Sequence, residues 1–159
     1  MSIRSVVAGL GISLVVVAID MLTKQWALDY FYSSEQGVVA VTPFLNWVLV
    51  WNRGVSFGLF ASHNQPLILI GVSLFIIAIV FRWLMEAQSL WLAVALGAII
   101  GGAVGNVIDR VRYGAVVDFI DVYWQGYHWP AFNIADSAIF IGVVVLCVET
   151  MLAETKHKP

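Results

Sequence analysis

Apolar side chains are concentrated in four long segments of the chain, each bounded by polar or turn-forming residues. The segments run from about Ser5 to Leu28, Pro66 to Leu84, Ser89 to Val107 and Ser137 to Leu152. An α-helix needs roughly 17 to 25 residues to cross a bilayer, and the four segments meet or approach that length. The pattern therefore predicts four transmembrane helices, of which the last is the shortest.

The third segment carries a glycine at every fourth position, at Gly97, Gly101 and Gly105. Residues at this spacing lie on one face of a helix, where a strip of small side chains lets a neighbouring helix approach closely. The spacing predicts that the third helix packs tightly against its neighbours.

Residues 38–60, between the first two segments, follow a different pattern, rich in Val, Phe and Trp. Two apolar runs, Asn46 to Trp51 and Val55 to Phe60, flank Asn52-Arg53-Gly54 and predict the strands of a β-hairpin. Gly54 would supply the positive φ of the short turn. Because apolar residues fall on both faces of this hairpin, we expect it to rest on the membrane surface or on a substrate.

Composition supports the membrane assignment, since 61% of the 159 residues are apolar and only 11% are charged. A soluble domain this apolar could not cover its surface with so few charged side chains. The net charge of −2 provides no basic surface, so we expect no nucleic acid as a partner. The single cysteine, Cys147, allows neither a disulfide framework nor a cysteine metal site.

The first segment has a second interpretation, as a cleaved signal peptide, because Arg4 precedes its apolar run. No small-residue cleavage pattern follows the run, and Asp20, Lys24 and Trp26 continue its helical spacing. We therefore expect the first segment to remain as a transmembrane helix.

Four spans place both termini on one side of the membrane, and the basic residues then divide evenly between the two sides. The four basic residues on the side of the termini lie in short flanks and a tight loop, the kind of segment on which the positive-inside rule acts. They are Arg4, Arg82, Lys156 and Lys158. We therefore predict cytoplasmic termini and place every aspartate on the outer half. The predicted fold is an all-α membrane protein, a single domain over residues 1–159, with a small extracytoplasmic β-hairpin or sheet between spans one and two.

Two aspartates with apolar neighbours, Asp118 and Asp136, stand at the outer end of the predicted bundle. Taken singly, Asp118 could be a loop carboxylate and Asp136 the N-cap of the last helix. Taken together, they could meet, because the connection between them can fold back. Two adjacent carboxylates share a proton, so one can activate water while the other protonates a peptide carbonyl. The combination predicts an aspartyl peptidase.

Further polar residues lie near the outer ends of the first and third segments, and each has a structural alternative. Asp20 and Lys24 are four residues apart, so they share a helix face and favour a structural ion pair. Asn106, Asp109 and Arg110 share a polar helix face, which either belongs to the functional site or only forms a flanking salt bridge.

Competing chemistries fit the sequence less well. Gly54-Val55-Ser56-Phe57-Gly58 matches the G-x-S-x-G pattern of serine hydrolases, but that pattern needs a strand-turn-helix elbow in an α/β fold. The histidines His63, His128 and His157 are scattered and form no H-E-x-x-H motif, so we expect no metal ion and no cofactor. A transporter would place acidic residues along the depth of the membrane. A non-enzymatic assembly factor would tolerate Asp→Asn changes at both aspartates.

Five blocks in order resemble the lipoprotein signal peptidase family, also called signal peptidase II, of bacterial inner membranes. They are residues 20–24, 52–58, 101–110, 117–119 and 132–137. The resemblance implies an aspartyl endopeptidase that removes the signal peptide of prolipoproteins just before a cysteine carrying diacylglycerol, with membrane lipids as further partners. It also implies that Asp118 and Asp136 form the catalytic pair. Positions matching residues that line or order the site are Asp20, Lys24, Asn52, Gly54, Asn106, Asp109, Arg110 and Asn133.

A substrate anchored by lipid can diffuse only within the bilayer, so it would enter sideways between helices. Phe57 and Phe60 of the predicted hairpin are candidates for a substrate cradle. We expect the enzyme to be a monomer.

Overall fold

The structure, a computed structural model, describes residues 2–34, 37–54 and 65–155. The described chain contains four long helices and four short strands. The helices are α1 (Ile3–Ser33), α2 (Gln65–Glu86), α3 (Leu90–Tyr113) and α4 (Ile134–Thr155). The strands are β1 (Val38–Thr42), β2 (Leu45–Asn52), β3 (Val116–Trp124) and β4 (Tyr127–His128). The predicted fold class, four apolar helices with a small antiparallel sheet, is confirmed.

All four helices are long and apolar enough to cross a membrane. Their outward faces carry large exposed apolar side chains, such as Leu14, Phe75 and Phe140. Continuous apolar surface of this extent is unfavourable in water, whereas in a bilayer it meets lipid acyl chains. Lipid is therefore the solvent that suits the outside of this bundle.

Helix α3 is the most buried of the four and lies between α1 and α4. A Cβ atom added at Gly101 would lie 2.7 Å from the carbonyl oxygen of Ser13 in α1, and one at Gly102 would collide with the carbonyl of Ala135 in α4. The predicted close packing of the glycine strip is thus confirmed. Because Ala135 precedes Asp136, the α3–α4 contact also positions the first turn of α4.

Gly114 ends α3 and turns the chain directly into β3. Its φ of 69° is left-handed, and its N–H donates to the carbonyl of Arg110 at 3.0 Å. Glycine adopts this conformation without a steric penalty, which is why it commonly follows the last turn of a helix. The tight turn keeps β3 close to the end of α3, so that Asp109 accepts a hydrogen bond from the Val117 N–H at 3.1 Å.

The four strands form an antiparallel sheet in the order β1-β2-β3-β4. The predicted strand from Asn46 to Trp51 lies within β2, whereas the predicted strand from Val55 to Phe60 and the proposed cradle residues lie outside the described residues. β2 pairs with β1 on one side and with β3, which follows α3, on the other. The sheet is therefore built from the α1–α2 connection and the α3–α4 connection, not from the first alone. The sequence did not reveal β3 because a short, continuous apolar run cannot be assigned to a strand by periodicity.

The chain folds back onto β3 before α4 begins. The N–H of Ile120 donates to the carbonyl of Phe132 at 2.9 Å, and the N–H of Phe132 donates to the carbonyl of Ile120 at 3.0 Å. This isolated bridge brings the next residue, Asn133, alongside Asp118. The fold-back that the sequence allowed is therefore present.

Candidate active site

Asp118 is held in the middle of the sheet by two side-chain amides. It is the third residue of β3 and only 1% exposed. Its Oδ2 accepts a hydrogen bond from Asn52 Nδ2 at 2.9 Å, and its Oδ1 accepts one from Asn133 Nδ2 at 2.7 Å. Both carboxylate oxygens are therefore fixed in direction.

Asp136 lies in the first turn of α4, but it is not the N-cap that its position in the sequence suggested. The helix begins at Ile134, and Asn133 is the cap: its Oδ1 accepts from the Asp136 N–H at 2.9 Å. Asp136 Oδ2 in turn accepts from the Asn133 N–H at 3.3 Å. This reciprocal arrangement is a capping box, which uses a polar side chain at each of the two positions.

Asn133 connects the two aspartates through one side chain. Its Nδ2 donates to Asp118 and its Oδ1 accepts from the backbone of Asp136. It is fully buried, and its amide therefore has no freedom to reorient without losing several hydrogen bonds. Both carboxylates therefore accept hydrogen bonds from this one residue.

Asn52 and Gly54 form the edge of the site on the β2 side. The N–H of Gly54 donates to Asn52 Oδ1 at 2.9 Å, which directs Asn52 Nδ2 at Asp118. Gly54 has a φ of 111°, so the positive φ expected at this position is present. A side chain would be strained in this backbone conformation.

A buried ionic cluster supports the site from the membrane side. Lys24 Nζ lies 2.7 Å from Asp20 Oδ2, 2.8 Å from Asp109 Oδ2 and 3.1 Å from Asn106 Oδ1. Asn106 Nδ2 then donates to Asp136 Oδ1 at 2.7 Å. The expected pairing of Asp20 with Lys24 is confirmed, and it belongs to a larger cluster that reaches Asp136 through Asn106.

Two acidic residues of the same cluster also accept hydrogen bonds from backbone N–H groups next to Asp118 and Asp136. Asp20 Oδ1 accepts from the N–H of Ala135, the residue before Asp136, at 2.9 Å. Asp109 Oδ2 accepts from the N–H of Val117, the residue before Asp118. The ionic cluster therefore fixes the start of β3, which carries Asp118, and the start of α4, which carries Asp136.

Arg110 is half-buried near both carboxylates. Its Nη1 donates to the carbonyl of Asn106 at 3.3 Å, and its Nε is buried without a hydrogen-bond acceptor among the described residues. The charges of Asp136 and Asp118 act on its guanidinium. A flanking salt bridge was the structural alternative for this helix face, and among the described residues Asp109 forms its ion pair with Lys24 of α1.

The surroundings of Asp118 favour its protonated form. Burial raises the pKa of its carboxyl group to about 6, and the charge of Asp136 acts in the same direction. Hydrogen bonds from Asn52 and Asn133 oppose the rise in pKa, because they stabilise the ionised carboxylate. A carboxyl group that holds its proton up to about pH 6 can take part in acid and base steps together with a second carboxyl group nearby.

A pocket of about 470 Å³ opens beside Asp136, and we call it the α4 pocket. Its wall is formed by Trp129, Phe132, Asp136, Ser137, Phe140 and Ile141. The sequence analysis did not single out these apolar residues. The signal was present only as helical spacing, since Phe140 lies four residues after Asp136 on the same helix face.

A second polar group on the sheet was also missed. Asp121 accepts from Asn46 Nδ2 at 2.9 Å, and His128 Nδ1 lies 2.9 Å from both of its carboxylate oxygens. Burial alone would raise the pKa of Asp121, but these hydrogen bonds lower it below its usual value. The group ties β2, β3 and β4 together and does not contact Asp118 or Asp136 among the described residues.

Comparison with known proteins gives a consistent family assignment. The sequence profile of the family described as signal peptidase (SPase) II matches residues 12–152. The lipoprotein signal peptidase of Methylobacterium sp. (strain 4-46) is 40% identical, in an alignment covering 96% of this chain and 94% of the relative. That of Janthinobacterium sp. (strain Marseille) is 43% identical, with 94% and 92% covered.

Solved structures agree with the sequence relatives. A structure described as a bacterial membrane enzyme superposes with a TM-score of 0.77 at 30% identity, covering 94% of this chain and 91% of the other. A second one, with the same description, gives a TM-score of 0.76 at 32% identity, covering 89% and 91%. The family resemblance seen in the five sequence blocks is thus confirmed over nearly the whole chain. The chain belongs to the signal peptidase II family of proteases.

Proposed function

We propose that this chain is an aspartyl endopeptidase that removes the signal peptide of diacylglyceryl-modified prolipoproteins, cleaving just before the lipidated cysteine. The observation that carries the proposal is that the Asn133 side chain hydrogen-bonds both to the Asp118 carboxylate and to the backbone N–H of Asp136. The family and the names of its members support the choice of substrate.

The two carboxyl groups share one proton in this mechanism. The ionised member accepts a proton from water, whose oxygen attacks the scissile carbonyl carbon, while the protonated member donates to the carbonyl oxygen. The tetrahedral diol collapses when the carboxyl group that took the water proton gives it to the leaving nitrogen and the C–N bond breaks. The other carboxylate recovers a proton from a diol hydroxyl group, which becomes the carbonyl of the new carboxyl end. The raised pKa of Asp118 supports a shared proton.

The other predicted site residues act by ordering the dyad. Asn52 and Asn133 direct the oxygens of Asp118, and Asn106 directs Asp136. Gly54 fixes Asn52. The remaining four residues hold the positions of these groups or supply charge near them: Asp20, Lys24, Asp109 and Arg110.

The proposed topology places the sheet and the dyad at the outer face of the bacterial inner membrane and both termini in the cytoplasm. The short basic flanks support this orientation. A cysteine introduced at Gln125, in the exposed β3–β4 turn, in a Cys147→Ser background should react with an impermeant thiol reagent added from the periplasmic side. A monomer suffices, because both carboxyl groups and the groups that contact them belong to one chain.

The decisive experiment uses protein purified in detergent and a diacylglyceryl-modified prolipoprotein, with the product identified by mass. Asp118→Asn and Asp136→Asn should each lower kcat by about 10²-fold to 10⁴-fold, the usual contribution of an acid or base group. Asp29→Asn is the control, since Asp29 is exposed near the end of α1 and contacts Gln25. Its rate should equal that of the unmodified enzyme. Normal cleavage by either dyad variant, or a product that does not begin at the lipidated cysteine, would refute the proposal.

A further inference from the structure

The α4 pocket has two polar residues, Asp136 and Ser137, in a mainly apolar wall. Its volume of about 470 Å³ lies within the range of roughly 300 to 1,000 Å³ that is usual for ligand pockets. Asp136 and Ser137 are neighbours in its wall, and the other described residues of the wall are aromatic or aliphatic. We propose that this pocket receives an acyl chain of the diacylglyceryl group on the substrate cysteine, an inference that rests on the proposed function.

The direction of the pocket matches that of an acyl chain. Phe140 and Ile141 follow Asp136 by four and five residues, which places them about 6 to 8 Å further along the axis of α4, away from the sheet. The pocket therefore includes the Asp136 carboxyl group and continues from it along the apolar part of α4. The lipid of the substrate starts from the cysteine next to the scissile bond and also extends into the membrane.

The chemistry of the wall favours an acyl chain over a stretch of signal peptide. An extended peptide carries N–H and C=O groups that need hydrogen-bond partners in an apolar environment. Among the described residues of this wall, the polar side-chain groups are those of Asp136 and Ser137 and the indole N–H of Trp129. The Ser137 hydroxyl already donates to the carbonyl of Asn133 at 2.9 Å. An acyl chain has no polar groups to satisfy.

The pocket positions the lipid and adds little affinity. Lipid tails are as apolar as leucine side chains, so moving an acyl chain from the bilayer to the pocket gains little free energy. Seating the chain would instead fix the cysteine relative to Asp136. A bulky residue in the pocket should therefore interfere by steric conflict, and only with a chain long enough to reach it.

The test combines one pocket-filling variant with two substrates. Ile141→Trp is compared with Val143→Trp, an equally drastic change on the same helix at an exposed residue outside the pocket. The substrates are one prolipoprotein peptide carrying either dipalmitoylglyceryl or dibutyrylglyceryl cysteine. Ile141→Trp should lower kcat/KM about tenfold for the dipalmitoyl substrate, because the Trp side chain and the acyl chain would overpack the pocket. The kcat/KM for the dibutyryl substrate should not change. Val143→Trp should affect neither.

Each alternative result overturns the inference. Equal losses on both substrates, at an unchanged melting temperature, would mean that peptide occupies the pocket, and no loss on either would mean that the pocket is not used. A second measurement does not depend on the Trp variant: a dipalmitoyl substrate with a diazirine on one of the first few carbons of the acyl chain is cross-linked to the Asp118→Asn protein. Because these carbons lie within the length of the pocket, adducts should lie on residues 137–141. Adducts confined to α1 or α2 would refute the inference. These outcomes are separate from the proposed function, which fails only if the dyad variants cleave or the product is wrong.

Discussion

Lys24 and Asp136 bind opposite ends of the same side chain, the amide of Asn106. Lys24 Nζ donates to Asn106 Oδ1 at 3.1 Å, and Asn106 Nδ2 donates to Asp136 Oδ1 at 2.7 Å. An ammonium group can only donate, so the amide oxygen must face Lys24 and the amide nitrogen must face Asp136. A cation in the membrane-embedded part of α1 thereby sets the direction of a hydrogen bond at the dyad.

Asn106→Leu should lower kcat about tenfold or more while the protein still folds. Leucine has a similar size but cannot donate to Asp136, and a hydrogen bond to a charged group contributes about 1.5 to 3 kcal/mol. Cleavage of a diacylated prolipoprotein in detergent measures the effect. Asn46→Leu is the matched control, because Asn46 is equally buried and donates to Asp121, away from the dyad. If the two variants lose the same activity, Asn106 has no special effect on Asp136.

Lys24→Met should destabilise the protein strongly. Lys24 is 3% exposed and lies between Asp20 and Asp109, so its removal leaves two buried carboxylates without a cation. Breaking a buried ion pair from one side costs about 3 to 5 kcal/mol. The melting temperatures of Lys24→Met and of the unmodified protein in detergent measure the effect.

The control for Lys24 is an ion pair of the same type on the surface. Arg82 and Glu86 are 69% and 59% exposed and lie four residues apart in α2. Exposed pairs contribute about 1 kcal/mol or less, so Arg82→Met should change the melting temperature little. Similar shifts for Lys24→Met and Arg82→Met would show that burial of the cluster does not matter for stability.

The raised pKa of Asp118 predicts a loss of stability with increasing pH. Between pH 3.8, the ordinary pKa, and about pH 6, the unfolded chain releases this proton while the folded chain keeps it. Folding stability therefore falls across this window and changes no further above it. The shift corresponds to a loss of about 3 kcal/mol from this group.

The measurement is the melting temperature of the unmodified protein and of Asp118→Asn from pH 4 to pH 8 in one detergent. The difference between the two should change in favour of the Asn variant up to about pH 6 and then stay constant. Asp29→Asn serves as the control and should follow the unmodified protein at every pH. Parallel curves for the Asp118 variant and the unmodified protein would mean that Asp118 ionises in the folded protein at its ordinary pKa.

The helices could be predicted because their signals are local in the sequence. Long apolar segments fix the helices, and the glycine spacing fixes the packing face of α3. The N-cap was placed wrongly because Asn133 and Asp136 are both good capping residues three positions apart, and the sequence does not say which one caps and which one reaches back. Contacts such as Lys24 with Asn106 join residues far apart in the chain, and only the packed bundle determines them.

Gly102→Ala should lower activity by moving Asp136, although Gly102 contacts neither carboxyl group in the described structure. An added Cβ would collide with the carbonyl of Ala135, which is backbone and cannot rotate away, so the first turn of α4 must shift. Misplacement of a reacting group by about 1 Å can cost about 100-fold in rate. Gly71→Ala is the control, since a Cβ at Gly71 in α2 meets no atom within 4 Å. Both variants should be assayed for cleavage and for melting temperature in detergent. A Gly102 variant with the full cleavage rate would show that the tight approach of α3 to α4 is not needed to position Asp136.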